Sequence, residues 1–151
     1  MAGIWVGAAV ENGSVRNVAL EMMATARTLA DACGQEAVAV LWGAAAAEAA
    51  GRMAAYGADR VVVLELSGDE GTRVSELEAT FEQIVAESGP QALLLADGAA
   101  SRALSPVLAE RTGAVLVNDV VGVEAAEAGA PFVFTRLPYS GKVVERVQAD
   151  A

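Results

Sequence analysis

Four short apolar runs alternate with four longer segments in which apolar residues recur every three or four positions. This alternation constrains the fold more than any other feature of the sequence, because the runs are typical of buried strands and the longer segments of helices packed on one face. Glycine follows most of the predicted helices, as expected at helix ends. The predicted strands cover residues 3–10, 37–42, 60–66 and 91–96, and the predicted helices cover residues 14–32, 44–56, 73–87 and a segment ending at Gly113.

This order predicts one α/β domain over residues 1–151, a three-layer, Rossmann-like and mostly parallel sheet with helices on both faces. The chain is 54% hydrophobic but only 5% aromatic, so Ala, Val and Leu supply most of the predicted core. After Ala114 the helical period disappears. Short strands are predicted at residues 115–117, 119–124, 132–137 and 142–147, and they predict an antiparallel β extension at one edge of the sheet.

The boundaries of the predicted elements carry signals of their own. Ser14 is predicted to cap the first helix, because a serine side chain can accept a hydrogen bond from a free backbone N–H there. Pro106 is predicted to be the first residue of the fourth helix, or else to perturb its first turn. The third strand, residues 60–66, is nearly continuous in branched residues and is predicted to be buried on both faces.

The first helix is predicted to bury one stripe and expose the opposite face. Its apolar side chains at three- and four-residue spacing are Val18, Met22, Ala26 and Leu29, and Arg27 is predicted to point outward.

Charge and residue usage exclude several classes of function. The net charge of −10 would repel phosphate backbones and anionic lipids, so neither nucleic acid nor a membrane surface is an expected partner. The chain has no His and one Cys, which leaves no recognisable metal site and no histidine-activated nucleophile. No apolar run approaches the roughly 20 residues of a membrane span. We therefore expect a cytoplasmic protein that does not act as an independent enzyme.

Small polar residues follow the first and fourth predicted strands. Asn12 and Gly13 come after the first strand, and Asp97, Gly98 and Ser101 come after the fourth. If these strands are neighbours, the two loops line the crevice where ligands bind in doubly wound sheets, and helix N-termini there could hold a phosphate. Neither GxGxxG nor a P-loop is present. Ordinary turn chemistry and a small adenine-nucleotide-binding or sensing site are the two alternatives.

Arg136, Tyr139 and Lys142 lie around one tight connection in the most basic part of an acidic chain. Pro138 and Gly141 are explained by a bare turn. A corner facing a partner or a ligand would also place Arg and Tyr there, so both interpretations stay open.

Several short motifs occur in an order and spacing that resemble the N-terminal domain of the electron transfer flavoprotein alpha subunit. The sharpest of them is the run from Ala55 to Val61, Ala-Tyr-Gly-Ala-Asp-Arg-Val. The others are Asn12-Gly13-Ser14, Leu20-Glu21, Ala26-Arg27 with Leu29-Ala30, Arg102 with Leu104-Ser105-Pro106 and Leu108-Ala109, Asp119-Val120, and Thr135-Arg136 with Tyr139, Gly141-Lys142 and Val147.

The resemblance implies a domain of the adenine nucleotide alpha hydrolase-like type. It implies a non-catalytic scaffold in a heterodimer with a beta-type subunit, which passes electrons from flavin dehydrogenases to an acceptor. In that family FAD is held mainly by a second domain of the alpha subunit, and the chain stops at Ala151, where that domain would begin. We therefore expect FAD only at the level of the complex, with a FAD-binding domain that is separate or deleted.

Three positions depart from the family pattern. Ala9 stands where the family usually has Glu, Ser101 where it has Gly, and Val107 where it has Arg. These differences lie at or near the predicted crevice, so they affect ligand or partner contacts more than the fold.

Overall fold

The computed structural model of the chain describes residues 2–67, 73–125 and 132–149. The predicted order of the first four strands and the four helices is confirmed. The elements are β1 Ile4–Val10, α1 Asn17–Cys33, β2 Ala37–Gly43, a 3-10 turn Ala46–Ala49 that continues into α2 Ala50–Ala55, β3 Arg60–Leu64, α3 Arg73–Ser88, β4 Ala92–Leu95, α4 Ala99–Thr112, β5 Val120–Ala125, β6 Phe132–Arg136 and β7 Glu145–Ala149.

The first four strands form a parallel sheet in the order β3-β2-β1-β4. β1 and β4 are therefore neighbours, as the predicted crevice requires. β3 lies at an edge, next to β2 alone. Both of its faces are covered, but Val61, Val62 and Val63 are only half-buried. The prediction of full burial was wrong because residue pattern does not reveal which strand lies at the edge.

Successive residues of β1 and β2 serve two separate cores, one on each face of the sheet. On one face, Ile4 and Val6 pack with Met23 of α1 and Met53 of α2. On the other face, the core consists of larger side chains, among them Trp5, Trp42, Phe81 of α3 and Leu104 and Leu108 of α4. Helices therefore cover both faces, and the predicted three-layer α/β arrangement is confirmed.

The first helix begins later than predicted. Glu11 and Ser14 exchange backbone hydrogen bonds of 2.9 and 3.0 Å across Asn12 and Gly13, both of which have positive φ. This tight turn uses the backbone of Ser14, so α1 starts at Asn17 and Arg16 takes the N-cap position instead of Ser14.

The buried face of α1 also differs from the predicted stripe. Ala26 and Leu29 are buried as predicted, but Met22 is half-buried and Val18 is 37% exposed. Ala19 and Met23 lie in the core instead. Ala19 and Met23 thus replace Val18 and Met22 on the buried face. Because the apolar surface of this helix is broad, spacing alone does not identify which part of it is buried.

Pro106 lies inside α4, not at its start. The helix begins at Ala99 with Gly98 as its N-cap, so Pro106 is the eighth helical residue and both predictions for it were wrong. The ring removes one N–H from the hydrogen-bond ladder, which leaves the carbonyl group of Arg102 without its usual helical partner. Small residues at 98–101 made this stretch look like a loop, although it forms the N-cap and first turn of the helix.

The C-terminal strands form an antiparallel sheet of their own, in the order β5-β6-β7, which we call the tail sheet. Val123 of β5 and Phe134 of β6 lie opposite one another. The apolar face to which they belong packs on the core that contains α1. Residues 115–117 were predicted to be a strand but have no strand partner in the described structure. β7 begins at Glu145 because a short helical turn, Pro138–Gly141, occupies the connection before it.

Candidate functional site

A crevice of about 350 Å³ opens beyond the carboxyl ends of β1 and β4, at the position expected for a doubly wound sheet. Its walls are mostly small side chains, with one indole from β2 and a few polar groups. The lining residues are Gly7, Ala8, Ala9, Glu11, Ser14, Arg16, Ala19, Trp42, Ala96, Gly98, Ala99, Ala100 and Ser101.

Two of the predicted crevice residues line this space. Gly98 is the N-cap of α4 and Ser101 lies in its first turn, so the N-terminus of α4 forms one wall. The backbone N–H groups of a first helical turn have no helical acceptors, and the helix dipole makes that end partly positive. This wall therefore favours acceptor groups or negative charge.

The other three predicted residues are used within the protein. Asn12 and Gly13 are the two central residues of the turn after β1, for which an Asn-Gly pair with positive φ is the preferred sequence. A Cβ atom on Gly13 would also collide with the carboxylate of Glu48. The local backbone accounts for both residues as ordinary turn chemistry.

The Asp97 carboxylate is held by Arg102, one turn along. Nε of Arg102 donates to Oδ1 at 2.8 Å and Nη2 donates to Oδ2 at 2.9 Å. These hydrogen bonds hold the pKa of Asp97 below its usual value and raise the pKa of Arg102. Asp97 therefore stays ionised at neutral pH and lacks the raised pKa that a general acid needs.

Arg16 is the crevice residue that sequence reasoning missed. Its guanidinium group donates a hydrogen bond to the backbone carbonyl of Asp97, and Nη2 lies 3.7 Å from the position a Cβ atom on Gly98 would take. Arg16 thereby joins the N-terminus of α1 to that of α4 across the crevice mouth. Arg16 and Asp97 are 81 positions apart in the sequence. The only sequence signal for their contact is a cation just before the helix that follows β1.

The three predicted partner-facing residues are brought together in the connection between β6 and β7. Arg136 is partly held by an ion pair with Glu145, at 3.2 Å between Nη1 and Oε2. Tyr139 is 78% exposed and has φ 56° and ψ 47°, and Ser140 follows with φ 57° and ψ 36°. Both residues lie in the left-handed region, which costs a residue other than glycine about 1–2 kcal/mol. Lys142 donates its backbone N–H to the Tyr139 carbonyl at 3.2 Å.

Neither metal chemistry nor a membrane span is indicated by the described residues. Among them, no three His, Cys, Asp or Glu side chains come together in an arrangement that could hold a metal ion. No helix in the described ranges is both long and apolar enough to cross a bilayer. Cys33 is free and half-buried at the end of α1.

Comparison with known proteins gives a consistent result. Residues 4–151 match the family model described as "Electron transfer flavoprotein domain". The chain is 30% identical over 148 residues to "Electron transfer flavoprotein subunit alpha" of Syntrophomonas wolfei, covering 98% of this chain and 45% of that protein. It is 30% identical over 138 residues to the protein of the same name from Bacillus subtilis, covering 91% and 41%. "Protein FixB" of Clostridium saccharobutylicum is 24% identical over 145 residues, covering 96% and 43%. The chain thus spans less than half the length of these relatives.

Proposed function

The chain belongs to the electron transfer flavoprotein domain family, and from this premise we propose that it is the scaffold and interaction domain of an alpha-type subunit. In this role it serves electron transfer from flavin dehydrogenases by forming a heterodimer with a beta-type subunit, and it carries out no catalysis of its own. Nearly the whole chain matches relatives named as alpha subunits. The pKa of Asp97, which lies beside the crevice, is lowered where a general acid would need it raised.

The corner formed by Arg136, Tyr139 and Lys142 is the observation that carries this proposal. The turn after β1 has the same two left-handed positions and fills them with Asn12 and Gly13, which suit that backbone. The corner fills them with Tyr139 and Ser140, which do not, and it exposes the tyrosine ring. Strain of this kind is concentrated at binding surfaces, where the exposed side chain is useful to a partner.

FAD does not fit the crevice at the ends of β1 and β4. The crevice of about 350 Å³ lies near the lower end of the range for small-molecule pockets, about 300–1,000 Å³, and a flavin dinucleotide needs considerably more room. We therefore assign no FAD contact to the crevice residues and propose that FAD is bound at the level of the complex.

The test is co-expression of the chain with a beta-type subunit from the same organism, followed by size-exclusion chromatography and sedimentation. We expect a stable one-to-one complex. A folded chain that remains monomeric in the presence of such subunits would overturn the proposal. The Tyr139→Ala variant should weaken the complex about tenfold, because exposed aromatic residues at interfaces commonly contribute that much.

A second candidate function, binding of an adenine nucleotide, is favoured by Arg16. This cation and the N-terminus of α4 meet at the crevice, where Gly98 and Ser101 form a wall of small residues. The loops that contain Asn12, Gly13 and Asp97 lie on either side of the crevice. A phosphate group near Arg16 and a purine over the small side chains would suit this arrangement.

Calorimetric titration of the chain with AMP and with ATP tests this candidate, since a bound ligand must also raise the melting temperature. We expect the Arg16→Ala variant to lose about tenfold in affinity. The matched control is Arg52→Ala, which removes the same charge from an exposed position on α2. The absence of both heat and a melting shift with either nucleotide excludes the candidate.

A further inference from the structure

Exposed apolar side chains are concentrated at one end of the tail sheet. Eleven large apolar residues are exposed in the described part of the chain, and eight of them lie between residues 115 and 144. We call these eight the apolar end. They are Val115, Leu116, Val120, Val121, Leu137, Tyr139, Val143 and Val144.

The strand register brings these residues together. Val120 at the start of β5 lies opposite Arg136 at the end of β6, and Arg136 lies opposite Glu145 at the start of β7. The segments that lead into β5, out of β6 and into β7 therefore meet at the same end of the sheet. Each segment contributes exposed apolar residues at or near this end.

The apolar end takes no part in the packing of the core around α1. The inner face of the tail sheet already packs on the core around α1 through Phe132 and Phe134 of β6 and through Val123 and Ala125 of β5. Val121 and Val144 are 62% and 67% exposed, although neither is required by a turn or a cap. A concentration of exposed apolar side chains at one end of a sheet is typical of an interaction site.

Charge indicates which kind of partner fits. The chain carries a net charge of −10, which opposes association with a second copy of itself. Next to the apolar end, Lys142 has no ion-pair partner among the described residues, while Arg136 is already paired with Glu145. A complementary surface has an apolar centre and a carboxylate placed to meet Lys142.

We propose that the apolar end is the surface on which the beta-type subunit docks, with an apolar patch of that subunit over Val121 and Val144 and a carboxylate opposite Lys142. This inference rests on the proposed function and deepens it, because it extends the interface from one exposed corner to eight side chains. A centre depleted of charge with a polar rim is the usual composition of an interface.

The experiment measures the affinity of the full chain for the beta-type subunit by sedimentation or calorimetry, for wild type and for the variants Val121→Asp and Val144→Asp. A carboxylate at the centre of an apolar interface is desolvated without a partner, so we expect each variant to weaken binding at least about thirtyfold. The matched control is Val74→Asp, since Val74 is also exposed but lies on α3 outside the apolar end. It should change the affinity less than twofold. Circular dichroism establishes that all three variants remain folded.

The outcomes separate the two proposals. If wild type forms no complex with a beta-type subunit, the proposed function fails, and this inference fails with it. If wild type forms the complex but Val121→Asp and Val144→Asp bind as tightly as the control, only the docking surface is wrong. If wild type alone forms a dimer that Val144→Asp dissolves, a second copy occupies the surface and the beta-type subunit does not. If a Lys142→Glu variant binds as tightly as wild type, the carboxylate opposite Lys142 is excluded.

Discussion

Gly57 lies directly beneath the side chain of Arg27, so close that a Cβ atom on the glycine would lie 2.8 Å from both Cβ and Cγ of the arginine. From this position Arg27 donates to Oδ2 of Asp59 and to Oδ1 of Asp31, each at 2.5 Å. Oδ2 of Asp59 also accepts the backbone N–H of Ala37 at 2.8 Å. The guanidinium group of Arg27 thus joins α1 to the turn before β3, and the carboxylate of Asp59 joins that turn to the start of β2.

Replacement of Gly57 by Ala should destabilise the domain by about 2 kcal/mol or more. The added methyl group meets the stem of Arg27, and the φ of 110° is unfavourable for any residue with a Cβ atom. The control is Gly51→Ala in α2, where no atom lies within 4 Å and the helix gains up to about 1 kcal/mol. Urea unfolding followed by circular dichroism measures both variants. Equal midpoints for the two would contradict the role of the Gly57 contact.

The stability of the domain should fall as acid protonates Asp59. The backbone N–H of Ala37 and the guanidinium group of Arg27 lower the pKa of Asp59 in the folded state. Its contribution is therefore fully present above the unfolded pKa of about 3.9 and is lost as pH falls through the lower folded pKa. Asp59→Asn removes this contribution at neutral pH and flattens the stability profile below about pH 4.

Urea midpoints recorded from about pH 6 to pH 2.5 test this dependence. The control is Asp31→Asn, which removes the other carboxylate bound to Arg27 but leaves the Ala37 hydrogen bond intact. We expect the smaller loss of stability for Asp31→Asn, because Asp31 is 68% exposed and holds no backbone group in place. A profile for Asp59→Asn that parallels wild type would show that another group carries the acid sensitivity.

The floor of the crevice should not tolerate a side chain at Gly7. A Cβ atom there would lie 2.5 Å from Cδ2 of Leu95 and 3.3 Å from the Trp42 ring, inside the core beneath the crevice. Gly7→Ala is expected to cost about 1–3 kcal/mol, as overpacking usually does. Gly122→Ala in β5 is the matched control, since its nearest neighbour is Thr135 Cβ at an ordinary 3.7 Å. Thermal melts of the two variants compare them, and a Gly7→Ala protein as stable as wild type would mean that the core beneath the crevice can expand.

Tyr139→Asn should separate stability from binding. Asn adopts the left-handed conformation more readily than Tyr does, so we expect the free energy of unfolding to stay unchanged or rise by up to about 1 kcal/mol. The same change removes the exposed ring and should weaken the complex with a beta-type subunit about tenfold. Urea unfolding and sedimentation measure the two quantities on one sample. A variant that loses both stability and binding would indicate that the corner is structural.

The sequence predicts the order of elements because apolar spacing and terminal glycines are local signals. Long-range contacts explain what it does not predict. Ser14 fails as an N-cap because Glu11 engages its backbone first, and Val115 lies outside any strand because a strand needs a partner as well as β-forming residues. Arg27 was predicted to point outward, yet its side chain is only 27% exposed because the turn at Gly57 leaves room for it to lie flat.

The same difference between local signals and long-range contacts applies at the candidate site. Gly98 and Ser101 could be predicted to line the crevice because they directly follow a strand, and this depends only on topology. Arg16 could not, because its position is set by contact with a loop far along the chain. The sharpest motif of the family resemblance, which contains Gly57 and Asp59, proves to hold the scaffold together and lies apart from the crevice lining.

Pro106 divides α4 into two parts that are anchored separately. Leu104 before the proline and Leu108 after it are both buried in the core, so each part of the helix packs on the sheet through its own leucine. Between them the missing hydrogen bond lowers the resistance of the helix to bending. The N-terminal part, which forms the crevice wall, therefore depends for its position on the packing of Leu104 as well as on the helical hydrogen bonds. The crevice wall is in this sense positioned by a leucine that does not itself line the crevice.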